Sequence, residues 1–509
     1  MVPLNVYVNA ASVAVGAYVL YFTLKFLLVH RRRSLVKQKH GCLPAPKLYQ
    51  KDPFLGTDLV LQNRNAGREH RFLDLLKARH DKGGLTYTTD TYFRRTINTC
   101  DPDLIRNVLA FQFNDFGMGP LRQRSAAPLL GQGIFTTDHE TWSQQRALIR
   151  PSFYRARVTN LSIYKKHVDR LIAIIREENC KTDLQPLFVR LTLDTNSEYL
   201  FGESVGLLSD QPLKHVTNFY RALNYAGEAT IQRLRLGNLM WFHHDREFKR
   251  CCAIVHEFAQ QFVDKALDFR RRETLVSPDE KDVASGERQK YLFIDELAKA
   301  TDNPTRLRDH IVNMLLAADT TPGLLSFAFY MLSRNEVLWE KLRNHVLEHY
   351  CEPLTYEALM NMTYLRHFIQ ECLRLFPPIA TNSRVAHKDT VLPVGGGPDG
   401  KSPLFIAKHN VVTYSTYVMH RRKDLFGEDA DEFRPERWEK LLPGWEYLPF
   451  NGGPRMCPGQ KLAMTETSYT IARILTTFSS IESLDNSEWQ EKITLSLKLK
   501  NGIQCHLIS

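Results

Sequence analysis

The stretch that decides the fold reads FNGGPRMCPG, from Phe450 to Gly459. Three glycines and two prolines frame a single cysteine, Cys457, just ahead of a helical run that starts at Gln460. Glycine lets backbone approach a partner closely. The helix start offers unpaired N–H groups and positive potential, and Arg455 adds a full charge two residues away. All three favour thiolate over thiol at Cys457. A thiolate held this way is a nucleophile or a metal ligand. No Ser/His/Asp-like partner pattern accompanies it, which favours the ligand; a nucleophile or an inert buried cysteine stays open on these residues alone. The nine cysteines are odd in number and scattered, with no CxxC, so neither a zinc site nor a disulfide framework is signalled.

Upstream, TYLRHFIQECLRLF is an amphipathic helix that places Glu371 and Arg374 on one face. It runs into Phe376-Pro377-Pro378, and a further arginine, Arg437, follows in FRPERW. In TWSQQRALIRPSF, Trp142 and Arg146 stand four apart, so one helix face presents an indole N–H and a guanidinium suited to a carboxylate. From Leu307 to Ser333 a long apolar helix is expected, interrupted by the polar Asp319-Thr320-Thr321. A mid-helix acid beside two hydroxyls disfavours the helix and calls for a reason. Pro322 cannot donate to the carbonyl of Ala318, so an opening of the helix is expected there.

At the other end, Ala10 to Leu28 is a 19-residue apolar run with one charge, Lys25. That length spans a bilayer, and Lys25 is near enough to the end to snorkel. Arg31, Arg32 and Arg33 follow at once and should stay on the cytosolic side. A signal peptide would carry its basic residues before the apolar run. The chain has 67 Lys+Arg against 56 Asp+Glu, a net charge of +11, and residues 1–41 hold six of that excess with no acid. The remainder is close to neutral for its size, which argues against a nucleic-acid surface. The 43% hydrophobic content excludes a disordered chain, and a single spanning run excludes a polytopic membrane protein. The expected organisation is an anchor with basic flank over 1–33, a proline-containing, non-helical hinge over 34–60, and one body over 61–509. That body should be mainly α with small β-sheets. Helices are expected from about 65 to 350, a polar surface loop over 272–290, short strands over 379–420, an irregular stretch over 425–456, and a helix from Gln460 to Ser479.

The Cys457 stretch matches FxxGxRxCxG, with Phe450, Gly453, Arg455, Cys457 and Gly459 all in place. By this motif the chain resembles the cytochrome P-450 superfamily. The resemblance implies that superfamily's fold behind one transmembrane helix, heme b (iron protoporphyrin IX) as cofactor, and Cys457 as the axial thiolate of its iron. It implies that Phe450 packs against the ligand loop. It implies that Glu371, Arg374 and Arg437 form a buried structural network behind the heme. Trp142, Arg146, Arg384 and Arg455 match the heme-propionate partners. Asp319 and Thr320 match the pair that relays protons to oxygen. Ala317 stands where the family has glycine, a departure in the oxygen groove.

Three stretches, FNDFGMGPLRQRSAAPLLGQGIF, RVAHKDTVLPVGGGPDGKSPLFI and FGEDADEFRPERW, look like the fungal alkane and fatty-acid hydroxylase branch. The resemblance implies oxygen insertion from O2 into a C–H bond of a lipophilic substrate, a long-chain fatty acid, alkane or alkyl compound. Electrons would come from NADPH–cytochrome P-450 reductase. The site would be the endoplasmic reticulum membrane, with the catalytic body facing the cytosol. Rival readings are tailoring oxidation in fungal secondary metabolism, a heme-thiolate isomerase or dehydratase that needs no reductase, and a non-catalytic heme carrier. Retained Asp319 and Thr320 argue against the isomerase.

Overall fold

The computed structural model describes residues 4–153, 159–275 and 293–509. The first helix, Leu4–Lys39, is apolar over most of its length, and its side chains from Val13 onward stand almost wholly exposed. It runs six residues past the boundary expected at Arg33, because no helix breaker occurs before Gly41. The prolines Pro44, Pro46 and Pro53 lie beyond it in a non-helical stretch that runs along the body, so the expected hinge over 34–60 is non-helical only between Lys39 and the helix Thr57–Arg68. Leu48 donates to the Thr88 carbonyl at 3.0 Å, and Thr88 donates back to Pro46 at 2.7 Å.

Among the described residues one other helical stretch, Pro304–Ser333, is long and apolar enough to cross a membrane, but it is mostly buried inside the body. Its first half, with Leu307, Ile311 and Leu315, packs in one hydrophobic cluster. Its second half, with Leu325, Phe327 and Phe329, packs in another that also contains the helices Thr363–Leu375 and Gln460–Thr477. This stretch therefore ties the two halves of the core together. It is broken at Ala318-Asp319 into Pro304–Ala317 and Thr320–Ser333. Pro322 lacks the N–H that would bond Ala318, and the Asp319 N–H instead reaches back three residues to Leu316 at 3.2 Å.

The main sheet has five strands in the order Thr86–Thr91, Arg94–Thr99, Val411–Ser415, Thr381–Ala386, Phe116–Gly117. The strands expected over 379–420 are present, with Thr390–Gly396 and Ser402–Ile406 pairing as a separate hairpin. The hairpin Thr86–Thr99 lies within the stretch expected to be helical. Its TYTTDTYFRRTINT is rich in β-branched residues. Its turn, Tyr92-Phe93, takes positive φ of 49° and 60° without glycine or asparagine, so the usual turn signal is missing. The C-terminal strands Ser480–Ser483, Glu491–Ile493, Leu497–Leu499 and Gln504–Ile508 were likewise not signalled, being only three to five residues long. Of the polar stretch 272–290, residues 272–275 end the helix Arg246–Leu275 and the rest lies outside the described residues.

Candidate cofactor site

The Cys457 loop is closed on itself. The Cys457 N–H donates to the Phe450 carbonyl at 2.9 Å and the Met456 N–H to Gly453 at 3.0 Å. Gly453 has φ of +68°, and a Cβ there would collide with the Leu109 carbonyl, so the backbone passes where no side chain fits. Tyr414 anchors the loop by donating to Asn451 Oδ1 at 2.9 Å. Burial raises the Cys457 thiol, while the Gly459 N–H and the charge of Arg146 pull it back toward thiolate. The charge was expected from Arg455. Arg146 supplies it instead, because its Nη2 donates to the Met456 carbonyl at 2.6 Å while Arg455 turns away from the sulfur.

Arg455 turns into a cradle of cations. Its Nη2 donates to Asp138 Oδ1 at 2.6 Å and to the Thr137 carbonyl at 3.0 Å. Its guanidinium lies 4.3 Å from the Trp142 ring centre. Its Nε and Nη1 are buried without a hydrogen-bond partner among the described residues. Arg384 is buried, and it shares Asn382 Oδ1 with a residue that no motif pointed to, Arg122. Burial pushes both Arg122 and Arg455 down to about 10, and the neighbouring arginines add to the shift. Asp138 is the carboxylate here, and it is also engaged by the N–H groups of Met118 and Gly119. Three guanidinium groups against one carboxylate leave a cradle that is two negative charges short. Of the two residues paired in sequence, Trp142 lines this cradle and Arg146 serves the cysteine loop.

At the helix break, Ala317 is exposed between buried Leu316 and Ala318. Thr320 Oγ1 reaches only its own helix, donating to the Ala317 carbonyl at 3.5 Å. Asp319 is held by residues the sequence did not signal. Lys498 Nζ donates to its Oδ1 at 2.5 Å and Ser496 Oγ to its Oδ2 at 2.8 Å, both from the C-terminal hairpin.

Behind the loop, Glu371 and Arg374 are both fully buried. Arg374 grips Glu371 with Nε at 2.9 Å and Nη2 at 2.8 Å. Glu371 also accepts from Arg437 Nε at 2.9 Å, the Arg434 N–H at 2.8 Å and Trp438 Nε1 at 3.0 Å. Arg374 Nη1 donates to the His420 carbonyl at 2.8 Å. His420 then carries the network forward. Its Nδ1 lies 3.1 Å from the Arg374 carbonyl, and its Nε2 accepts from the Leu448 N–H at 2.9 Å, two residues before Phe450. That pairing assigns the proton to Nδ1. Burial holds His420 at about 3, so the ring is neutral near pH 7. A histidine directly before two arginines, in MHRRKD, was the available signal.

A heme would suit these residues. The orphaned donors of Arg455 and the cradle's missing charge call for a dianion, which the two propionates supply, and Cys457 offers a sulfur within a loop fixed in shape. A family model described as Cytochrome P-450 matches residues 47–505. The chain is similar to the cytochrome P-450 monooxygenase himC of Aspergillus japonicus, 39% identical over 98% of this chain and 90% of the relative. It is 38% identical to the cytochrome P-450 monooxygenase FPY7 of Fusarium mangiferae, over 93% of this chain and 91% of that one. Cytochrome P-450 52A13 of Debaryomyces hansenii is 37% identical, over 95% of each chain.

Proposed function

The chain belongs to the cytochrome P-450 family and is a heme-iron monooxygenase, and from that premise we propose that it hydroxylates a long-chain fatty acid, alkane or related alkyl compound delivered by the membrane. The proposal places the chain in the endoplasmic reticulum membrane with its body in the cytosol. NADPH–cytochrome P-450 reductase is the electron source.

The observation that carries the site is the charge balance of the cradle beside the Cys457 loop. Heme b, when bound, supplies the activation of O2. Every other task falls to the chain. Cys457 would hold the iron as thiolate, with the Gly459 N–H and Arg146 stabilising its charge. Arg122, Arg384 and Arg455 would take the propionates, and the Trp142 ring supports Arg455. Thr320 and Asp319 hold and pass protons at the helix break. Asp319 must loosen its bond to Lys498 before its carboxyl can turn toward Thr320. Glu371, Arg374, Arg437 and His420 keep the loop in place and touch no reactant.

A second reading, tailoring oxidation in fungal secondary metabolism, draws on the departure at Ala317. One experiment separates the readings. The reconstituted holoenzyme, with reductase and NADPH, is screened with fatty acids, alkanes and polyketide-like lipids for spectral substrate binding and product. Hydroxylated alkyl chains are the expected result. Turnover of polyketide-like lipids alone moves the chain to the second reading, and product without NADPH overturns both.

A further inference from the structure

The turn VGGGPDG, distinctive in the sequence, has no part in the cofactor site. It joins the strands Thr390–Gly396 and Ser402–Ile406, and it sits against the chain just after the first helix. Leu43 donates its N–H to the Pro403 carbonyl at 3.0 Å, and Gly397 donates to the Pro44 carbonyl at 3.1 Å. Residues 43 and 44 thus lie along the hairpin like a short added strand. The glycines permit it. A Cβ at Gly396 would stand 2.5 Å from the Pro403 carbonyl and closer still to that of Leu43. Gly395 and Gly397 hold φ of +103° and +76°, which other residues rarely adopt.

The helix itself is gripped one turn and a half before its end. Arg33 donates with Nε at 3.0 Å and Nη2 at 2.9 Å to the two oxygens of Asp389, a bidentate pair at the base of the hairpin. Asp389 is held from the other side by the Lys408 N–H at 2.7 Å. Burial acts to raise the Asp389 carboxyl, but Arg33, the Lys408 N–H and the charge of Arg32 outweigh it and hold the group below its ordinary value. Lys37, one turn on, places its ammonium 5.2 Å from the Phe405 ring centre. Three kinds of contact, over the twelve residues 33–44, therefore fix the helix end and the chain after it to one hairpin. Arg33 lies five residues beyond Leu28, about 7.5 Å along the helix, so the grip falls close to the end of the apolar run.

We propose that the hairpin Thr390–Ile406, with Asp389 at its base, is a clamp on the first helix that holds the catalytic body at one fixed orientation to the membrane. The helix and body then move as one unit, and the path from lipid to the site keeps a constant geometry. A flexible tether would let the body tumble on the surface.

The proposal rests on the reading of this helix as a membrane anchor, and the test separates the two. Full-length holoprotein is placed in lipid nanodiscs with spin labels, introduced as unnatural amino acids, at Tyr18 and at Glu428, which is 89% exposed. Wild type should show one narrow distance distribution. Asp389→Asn keeps the acceptor for Lys408 but loses the charge, and Gly396→Ala pushes the linker off the hairpin. Both should broaden the distribution. Both should also raise tryptic cleavage after Lys37 and Lys39, about fivefold in Asp389→Asn. Arg33→Lys, which retains one bond, should fall between. The reduced, CO-bound Soret band should be unchanged in every variant, since none lies at the cofactor site. A broad distribution in wild type, or unchanged width and cleavage in both variants, overturns the clamp. Failure of wild type to float with lipid vesicles overturns the anchor reading instead.

Discussion

Replacing Glu371 by glutamine tests the network behind the cysteine loop with almost no change in shape. The carboxylate accepts five hydrogen bonds, four of them from Arg374, Arg437 and Trp438 side chains, with no exposed surface. Glutamine leaves one oxygen and turns an NH2 toward a guanidinium. Arg374 then keeps its charge in the core with only carbonyl oxygens to offset it. Breaking a buried pair by removing one partner costs about 3–5 kcal/mol. A domain has about 5–15 kcal/mol in total, so the variant should lose a fifth or more of its stability.

The loss should reach the loop first. From Arg374 the path to the loop runs through the His420 carbonyl and the bond from the Leu448 N–H to Nε2. In a guanidinium titration of Glu371→Gln, the reduced CO Soret band should lose its thiolate character before helical ellipticity falls. In wild type the two transitions should coincide. Arg374→Met in the same background should recover about 1–3 kcal/mol, because it removes the stranded charge. A Glu371→Gln variant within about 1 kcal/mol of wild type would refute the reasoning, as would a double variant whose cost equals the sum of the singles.

Cys457→Ser should abolish the thiolate-type Soret band of the reduced, CO-bound protein; persistence of both band and turnover would mean that another residue is the ligand. Thr320→Ala should raise the ratio of hydrogen peroxide released to product formed per NADPH, with Thr321→Ala milder, since Thr321 is buried about 100° further round the helix. Arg122→Gln should speed transfer of heme to an apoglobin acceptor about tenfold, the loss of one charged hydrogen bond, and Arg122→Lys should restore part of it. Glu466→Gln should leave stability at pH 4 nearly unchanged and raise it at pH 9, read from denaturant midpoints. Burial lifts this carboxyl to about 8 in the folded chain, above its unfolded value. Its contribution is therefore complete below the unfolded value and is lost as pH rises through about 8.

The motifs were legible where local chemistry is the signal. Gly453 was readable because the loop needs backbone without a side chain, and Glu371 with Arg374 because helical spacing places them together. The helix opening at Pro322 followed from a missing N–H. What escaped were residues that act only after the chain has folded. Arg122 stands in an unremarkable polar helix and joins Arg384 through Asn382, 260 positions away. Lys498 and Ser496 reach Asp319 from a three-residue strand and the turn before it, too short for any period to show. Trp142 and Arg146 share a helix face, as their spacing required, yet they serve different neighbours. Spacing fixes which side a residue is on, and packing decides what it meets there. The first helix outruns residue 33 for a similar reason. Nothing at Arg33 stops a helix, and the grip of Asp389 favours its continuation.

Two glutamates show what the packing adds. Glu371 and Glu466 are both inaccessible to solvent, at 0% and 1% exposure. Around Glu371 stand two guanidinium groups, an indole N–H and a backbone N–H, so burial strengthens each attraction to its negative charge. Around Glu466 stand Thr195 and Asn196, with Asn196 Nδ2 3.4 Å from Oε2 and Oε1 without a partner. Two neutral side chains offset only part of the desolvation of a charge, so the carboxyl keeps its proton at neutral pH. The first glutamate is an electrostatic tie between the helix Thr363–Leu375, the Arg437 segment and, through His420, the cysteine loop. The second is a neutral hydrogen-bonding side chain in the helix that follows that loop.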